Sequence, residues 1–151
     1  MKRIASFSVD HDKILPGMYI SRIDGDITSF DLRTRVPNKG SYMDNVTMHS
    51  VEHMLATLLR TGEIGQHVIY FGPMGCRTGF YLLTRDLAPE AVLQALITAL
   101  EQVLAHTGAV FGATRKECGN YLELDLAAAK TECAAYLAVL KQHKGDFHYA
   151  S

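Results

Sequence analysis

The residues best suited to chemistry in this 151-residue chain lie at positions 49–53, which read His-Ser-Val-Glu-His. Residues four apart lie on the same side of an α-helix, with Cβ atoms about 5–6 Å apart. His49 and His53 can therefore bind one metal ion through bonds of about 2.0–2.1 Å. In helices with this motif the glutamate, here Glu52, is an acid/base rather than a ligand. The motif predicts a metal centre; the alternative is a solvated polar helix face.

A third ligand is needed, because a catalytic metal usually has three protein ligands and one open position. The chain offers three cysteines. Cys133 lies on an apolar stripe of a predicted helix, so we expect it in the core. Cys76 and Cys118 both lie beside glycine in predicted loops. Spacing leaves both of them as candidates for the third ligand.

Helices and strands that position these residues are indicated by apolar periodicity and by capping residues. A helix over 48–61 places the histidines opposite its apolar stripe. Two further helices are predicted, one from Pro89 to about 106 and one from the N-cap Asp125 to about 142. A hairpin turn at Asp24-Gly25 is predicted between two of the segments with strand character, 16–23 and 27–34. We expect strands at 5–9, 16–23, 27–34, 67–72 and 77–84, and a polar C-terminal tail.

Composition narrows the class of protein. The chain is 48% hydrophobic and 21% charged, with a net charge of −1, which is typical of a globular domain without a nucleic-acid-binding surface. Its longest apolar run, 134–140, is too short to cross a bilayer. Three cysteines make a disulfide framework a poor interpretation. We expect one cytoplasmic α+β domain over residues 1–151, an antiparallel sheet packed by helices, with no membrane partner.

Several blocks of sequence resemble one known family, the LuxS family of S-ribosylhomocysteine lyases, over nearly the whole chain. The combination of His-x-x-Glu-His with Pro-Met-Gly-Cys is the most specific part of the likeness. The matching blocks are Ser6-Phe7, Asp10-His11, 31–33, 36–38, 49–56, 73–79 and 117–121.

The resemblance implies roles for eight residues. It implies that the metal ligands are His49, His53 and Cys118, the acid/base pair is Glu52 and Cys76, and the substrate-binding residues are Ser6, His11 and Arg33. It further implies one iron(II) per subunit, with zinc or cobalt as substitutes, and a homodimer with both sites at the subunit interface. The implied fold is an antiparallel sheet packed by helices, in agreement with the periodicity.

The activity implied by the resemblance is cleavage of S-ribosyl-L-homocysteine. The carbonyl migrates along the ribose, and β-elimination then releases L-homocysteine and 4,5-dihydroxy-2,3-pentanedione, the autoinducer-2 precursor. Two residues depart from the family pattern. Tyr70 stands where an aspartate is frequent and Leu124 where a histidine is frequent, which bears on recognition of the homocysteine end.

Two other functions are compatible with the same helix. A metal-dependent hydrolase would use Glu52 to activate water, and its activity would survive loss of Cys76. A catalytically inactive relative would bind metal or a ligand without turnover.

Overall fold

Four strands form one antiparallel sheet in the order β1-β2-β4-β3 in the computed structural model, which describes residues 1–150. The strands are β1 Gly17–Asp24, β2 Ile27–Arg33, β3 Val68–Pro73 and β4 Gly79–Arg85. The predicted hairpin is confirmed, since Asp24 pairs with Ile27 across the turn. At that turn Gly25 has φ +63°, a conformation that favours glycine.

Four α-helices and one 3₁₀ turn make up the other regular elements of residues 1–150. They are α1 Ala5–Ser8, α2 Asn45–Thr61, α3 Pro89–Ala105 and α4 Leu126–Leu140, with the 3₁₀ turn at Gly65–His67. The α2 helix begins earlier than predicted because the Asp44 side chain accepts a hydrogen bond from the backbone N–H of Thr47. Asp125 caps α4 as predicted, by accepting from the N–H groups of Ala127 and Ala128.

The core lies between one face of the sheet and the helices. Helix α2 packs on β3, α4 packs on α2 and against β1, and α3 packs on both long helices. Buried side chains from the sheet and the helices form one apolar cluster, and its fully buried members include Phe30, Leu82, Met54, Leu96 and Leu100. This arrangement confirms the α+β prediction. No helix within residues 1–150 is both long and apolar enough to cross a bilayer.

Two expectations about the chain ends are wrong. Residues 5–9 do not form a strand: Ala5–Ser8 is a short helix with no buried residue. The backbone N–H of Ile20 on β1 donates instead to the carbonyl of Phe147 at 2.7 Å, so the free edge of β1 is used by the C-terminal segment. That segment is not a polar tail, because the Phe147 side chain is buried in the core.

Candidate metal centre

Three residues from distant parts of the chain converge beside helix α2. His49 and His53 lie one turn apart on α2, and Cys118 comes from the loop between α3 and α4. Their ligand-type atoms all lie within 4.8 Å of one another. The two imidazole rings are 4.6 Å apart between centroids and nearly perpendicular. The predicted histidine pair is thus joined by one of the two cysteines that spacing left open.

Backbone carbonyls determine which nitrogen of each histidine is free. His49 Nδ1 lies 3.1 Å from the carbonyl oxygen of Glu123, and His53 Nδ1 lies 2.7 Å from that of Phe111. Because a carbonyl only accepts, each Nδ1 must carry the proton and donate it. Each Nε2 therefore keeps its lone pair for a metal ion, an arrangement typical of histidine ligands.

The distances between ligand atoms suit a divalent ion. His49 Nε2 lies 3.4 Å from Cys118 Sγ. A nitrogen bonded at about 2.1 Å and a sulfur at about 2.3 Å in tetrahedral geometry are roughly 3.6 Å apart. Two neutral imidazoles and one thiolate form a donor set that binds zinc or iron(II). The three residues therefore fit a metal ion with one position left open.

The loop between α3 and α4 is held in place by its own hydrogen bonds. The backbone N–H of Cys118 donates to the Thr114 carbonyl at 3.1 Å. The sulfur of Cys118 accepts from the N–H of Asn120 at 3.4 Å, and the amide of Asn120 donates to the Glu123 carboxylate. Loop and α2 are also joined through buried Ser50, whose hydroxyl accepts from the Asp125 N–H at 2.8 Å. Cys118 is therefore presented to the histidines by a structured loop.

A glycine allows this loop to approach His53. Gly112 follows Phe111, whose carbonyl accepts from His53, and has φ +68°. A Cβ atom at position 112 would lie 3.2 Å from His53 Nδ1. Only glycine combines this backbone conformation with so close an approach.

Glu52 and Cys133 occupy the positions that the helical periodicity predicts. Glu52 is partly buried on the same turn of α2 as the histidines, outside the three-ligand group. Cys133 is 1% exposed and lies in the core. Burial raises the pKa of the Cys133 thiol to about 12, so it is a packing residue.

Cys76 belongs to a second polar cluster at the end of the sheet. Its sulfur lies 3.0 Å from Thr78 Oγ1 and 3.9 Å from Nη1 of Arg33. The same Nη1 donates to Thr78 Oγ1 at 2.8 Å. Arg33 is fully buried and forms a two-pronged ion pair with Asp31, at 3.0 and 2.6 Å. The structure therefore places Arg33 beside Cys76.

Close backbone contact between β2 and β4 places this cluster. A Cβ atom on Gly79 would lie 2.5 Å from the carbonyl oxygen of Leu32. Glycine at this position lets Thr78 come beside the end of β2, where Arg33 lies. Arg77 turns the loop with φ +64°, and its guanidinium lies over the Tyr42 ring at 5.6 Å.

The two remaining predicted substrate residues lie near the N-terminus. Ser6 lines an open pocket of about 500 Å³ on the face of the sheet opposite the core, together with Tyr70 and Tyr81. His11 is not among the residues that line this pocket, and its Nδ1 pairs with the carbonyl of Val9 at 2.9 Å. Of the two departures from the family pattern, Tyr70 is half exposed and Leu124 packs against the core.

Several residues that hold these two clusters were not singled out from the sequence. Asp31 and Arg33 are two residues apart on β2, and the alternation of side chains along a strand could have indicated that they lie on the same face. The carbonyls of Phe111 and Glu123 left no side-chain pattern to find. The contact of Tyr149 with Asp31, at 2.7 Å, joins residues 118 positions apart.

The fold and the histidine–cysteine group together fit the class of small α+β metalloenzymes. The family described as S-ribosylhomocysteinase (LuxS) matches residues 4–146, and the chain belongs to that family. Proteins named S-ribosylhomocysteine lyase are similar over nearly its whole length. The relative from Borreliella afzelii is 42% identical over 97% of each chain, and that from Finegoldia magna is 41% identical over 97% of this chain and 96% of its own. A Clostridium beijerinckii relative is 43% identical over 86% of each chain.

Proposed function

We propose that this protein is an S-ribosylhomocysteine lyase, which cleaves S-ribosyl-L-homocysteine to L-homocysteine and 4,5-dihydroxy-2,3-pentanedione. The observation that carries the proposal is the convergence of His49, His53 and Cys118 in a chain of this family. Proteins with this name align with 97% of the chain, so the likeness covers both the ligand helix and the Cys76 loop. The product pentanedione is the precursor of autoinducer-2.

The metal in this proposal is iron(II), one per subunit, with zinc or cobalt as substitutes. His49, His53 and Cys118 hold it, and the two carbonyl-bound Nδ1 groups orient the imidazoles toward it. The ion supplies Lewis-acid polarisation of a substrate oxygen without any change of oxidation state. Metal analysis of protein purified without air is expected to find one iron per chain.

Glu52 and Cys76 move the protons in the proposed reaction. The opened ribose carries an aldehyde at carbon 1, and proton transfers between neighbouring carbons move the carbonyl to carbon 3. Removal of the proton at carbon 4 then expels the homocysteine thiolate from carbon 5. Atoms balance without water or an oxidant, because the two products together contain every atom of the substrate.

The remaining contacts of the substrate are assigned by the family pattern. Arg33 beside Cys76, Ser6 in the open pocket, and His11 near the N-terminus are proposed to bind it. Tyr70 lines the same pocket as Ser6, and its hydroxyl replaces a carboxylate at the end that receives homocysteine. A neutral phenol pairs with an ammonium group less strongly than a carboxylate does. We therefore expect a weaker affinity for the substrate than with an aspartate at position 70.

Two equivalent sites in a homodimer form part of the proposal. Cys76 lies with Arg33 and Thr78 at the end of the sheet, whereas the three-ligand group lies on α2 and the α3–α4 loop, and we propose that a partner chain brings the two together. The pocket on the open face of the sheet is lined in part by exposed apolar side chains, Ile4 just before α1 and Tyr70 on β3, which suit an interface.

Mixed dimers test this arrangement. Cys76→Ala and His53→Ala variants are each expected to be inactive, whereas a refolded equal mixture regains about a quarter of wild-type activity, since half its dimers have one intact site. A mixture that stays inactive while forming dimers would contradict shared sites.

One catalytic domain over residues 1–151, in the cytoplasm, completes the proposal. The family match over residues 4–146 supports a single unit. Three free cysteines are typical of a protein in a reducing compartment.

Release of homocysteine tests the proposed activity. Anaerobically prepared, iron-loaded protein is given S-ribosylhomocysteine, and new thiol is measured against a control without substrate. Cys76→Ala and Glu52→Gln are expected to abolish release while retaining iron, and the exposed control Glu63→Gln is expected to retain activity. Absence of release by iron-loaded wild-type protein would refute the lyase proposal.

Neither the hydrolase nor the inactive relative is favoured by the comparisons, since the similar proteins are named lyases.

A further inference from the structure

The C-terminal segment reaches the polar cluster that contains Cys76. After α4 the chain turns back along β1, where the Phe147 carbonyl accepts from the backbone N–H of Ile20. Two residues further on, the ring of Tyr149 stacks on Tyr19, with centroids 4.9 Å apart and 17° between the planes. The end of the chain is thereby held against the sheet by a backbone bond and an aromatic contact.

Tyr149 shares a carboxylate oxygen with Arg33. Its hydroxyl donates to Oδ2 of Asp31 at 2.7 Å, and the same oxygen accepts from Arg33 Nη2 at 2.6 Å. Asp31 and Arg33 are 1% and 2% exposed. Burial and the neighbouring Asp31 carboxylate raise the pKa of Tyr149, so the phenol stays protonated and remains a donor.

Arg33 connects this carboxylate to Cys76. Its Nε and Nη2 both donate to the Asp31 carboxylate. This pairing orients the planar guanidinium so that Nη1 points to Thr78 and Cys76. In a buried network, loss of one donor changes the alignment of the remaining bonds. The hydroxyl of Tyr149 lies three contacts from the thiol, through Asp31 and Arg33.

We propose that Tyr149 is a positioning residue for the Cys76 thiol, acting through the Asp31–Arg33 ion pair. The inference rests on the proposed catalytic role of Cys76, and it adds a residue from the chain end to that site. Without the phenol, Asp31 accepts from Arg33 alone, and the guanidinium is free to turn away from Thr78. Cys76 Sγ, which lies 3.9 Å from Arg33 Nη1, then loses part of its contact with this cation.

Tyr149→Phe tests the proposal, because it removes the hydroxyl and keeps the ring stacked on Tyr19. Tyr19→Phe is the matched control: it removes the other hydroxyl of the stack, which donates to the Leu15 carbonyl rather than to Asp31. We expect Tyr149→Phe to lower kcat about tenfold with little change in KM, the effect of weakening one charge-assisted hydrogen bond. The control is expected to match wild type.

Alkylation of Cys76 by iodoacetamide gives a second reading that does not depend on lyase activity. The charged or titratable groups around this thiol are Arg33, the adjacent Arg77 and Tyr81. The rate of alkylation is measured as a function of pH. In Tyr149→Phe this pH profile is expected to shift to higher pH, and in Tyr19→Phe it is expected to match that of wild type. A shift without any lyase activity in wild type would refute the proposed function and keep the positioning role. An unshifted profile in Tyr149→Phe, with or without a fall in kcat, would overturn the positioning role.

Discussion

Gly112 is the residue at which a single methyl group most directly tests how the metal centre is built. Gly112→Ala places an L-residue at φ +68°, with its Cβ atom 3.2 Å from His53 Nδ1. The methyl group must push the imidazole or the loop apart by a few tenths of an ångström. That movement stretches the 2.7 Å bond from His53 Nδ1 to the Phe111 carbonyl, and the imidazole loses its orientation.

The size of the effect has two parts. An alanine in the left-handed region costs about 1–2 kcal/mol of folding free energy. Loss of a hydrogen bond that orients a histidine ligand lowers metal affinity about 10–100-fold, or about 1.4–2.7 kcal/mol of binding. Folding and metal binding should therefore both weaken in Gly112→Ala.

Gly25→Ala separates the two parts. Gly25 has φ +63°, close to that of Gly112, and a Cβ atom there has no neighbour within 4 Å. This control should lose a similar amount of stability of the metal-free protein in urea, with unchanged affinity for zinc measured by competition with a chromogenic chelator. Wild-type zinc affinity in Gly112→Ala would refute the role given to the Phe111 carbonyl.

Three further predictions concern stability and thiol reactivity. Glu132→Ala removes the carboxylate that accepts hydrogen bonds from Arg35 Nε and Nη2 and should cost about 2 kcal/mol in urea unfolding, the scale of hydrogen bonds to a charged group; no change would contradict a stabilising pair. Asp44→Ala should cost about 1 kcal/mol at pH 7. Because hydrogen bonds from Thr47 lower the pKa of Asp44, this difference should vanish as the pH falls below the ordinary value of about 3.9 and through the lowered one, and a difference that persists in acid would contradict the assignment. Native protein treated with iodoacetamide at pH 8 should be labelled at exposed Cys76 and unlabelled at buried Cys133, as peptide mass spectrometry would show; labelling of Cys133 before unfolding would contradict its burial.

Local patterns predicted the parts of the fold that depend on local physics. The histidine pair follows from the helical period of α2, and the β1–β2 hairpin from Asp24-Gly25. The capping carboxylate of Asp125 marked the start of α4. At the N-terminus, five residues of alternating polarity predicted a strand, but a short helix lies there. A strand also needs a free neighbouring edge with which to pair, and Phe147 uses the free edge of β1.

The parts of the site that spacing left open depend on contacts between distant residues. Cys118 and Cys76 were equivalent in the sequence, since each lies beside glycine in a loop. Bonds from the α3–α4 loop to α2 bring Cys118 to the histidines, whereas the close approach at Gly79 places Cys76 beside Arg33. The family resemblance distinguished the two thiols; the roles of Glu52, Cys76 and the substrate residues remain predictions.

The most direct test of the proposed activity identifies both products. Iron-loaded protein is mixed without air with S-ribosylhomocysteine labelled with ¹³C throughout the ribose, and the labelled carbons are followed by NMR. The proposal predicts that ribose signals convert to those of 4,5-dihydroxy-2,3-pentanedione, with one homocysteine released for each. Release of labelled free ribose with homocysteine would instead show hydrolysis of the bond between carbon 5 and sulfur. That result would contradict the elimination chemistry assigned to Glu52 and Cys76.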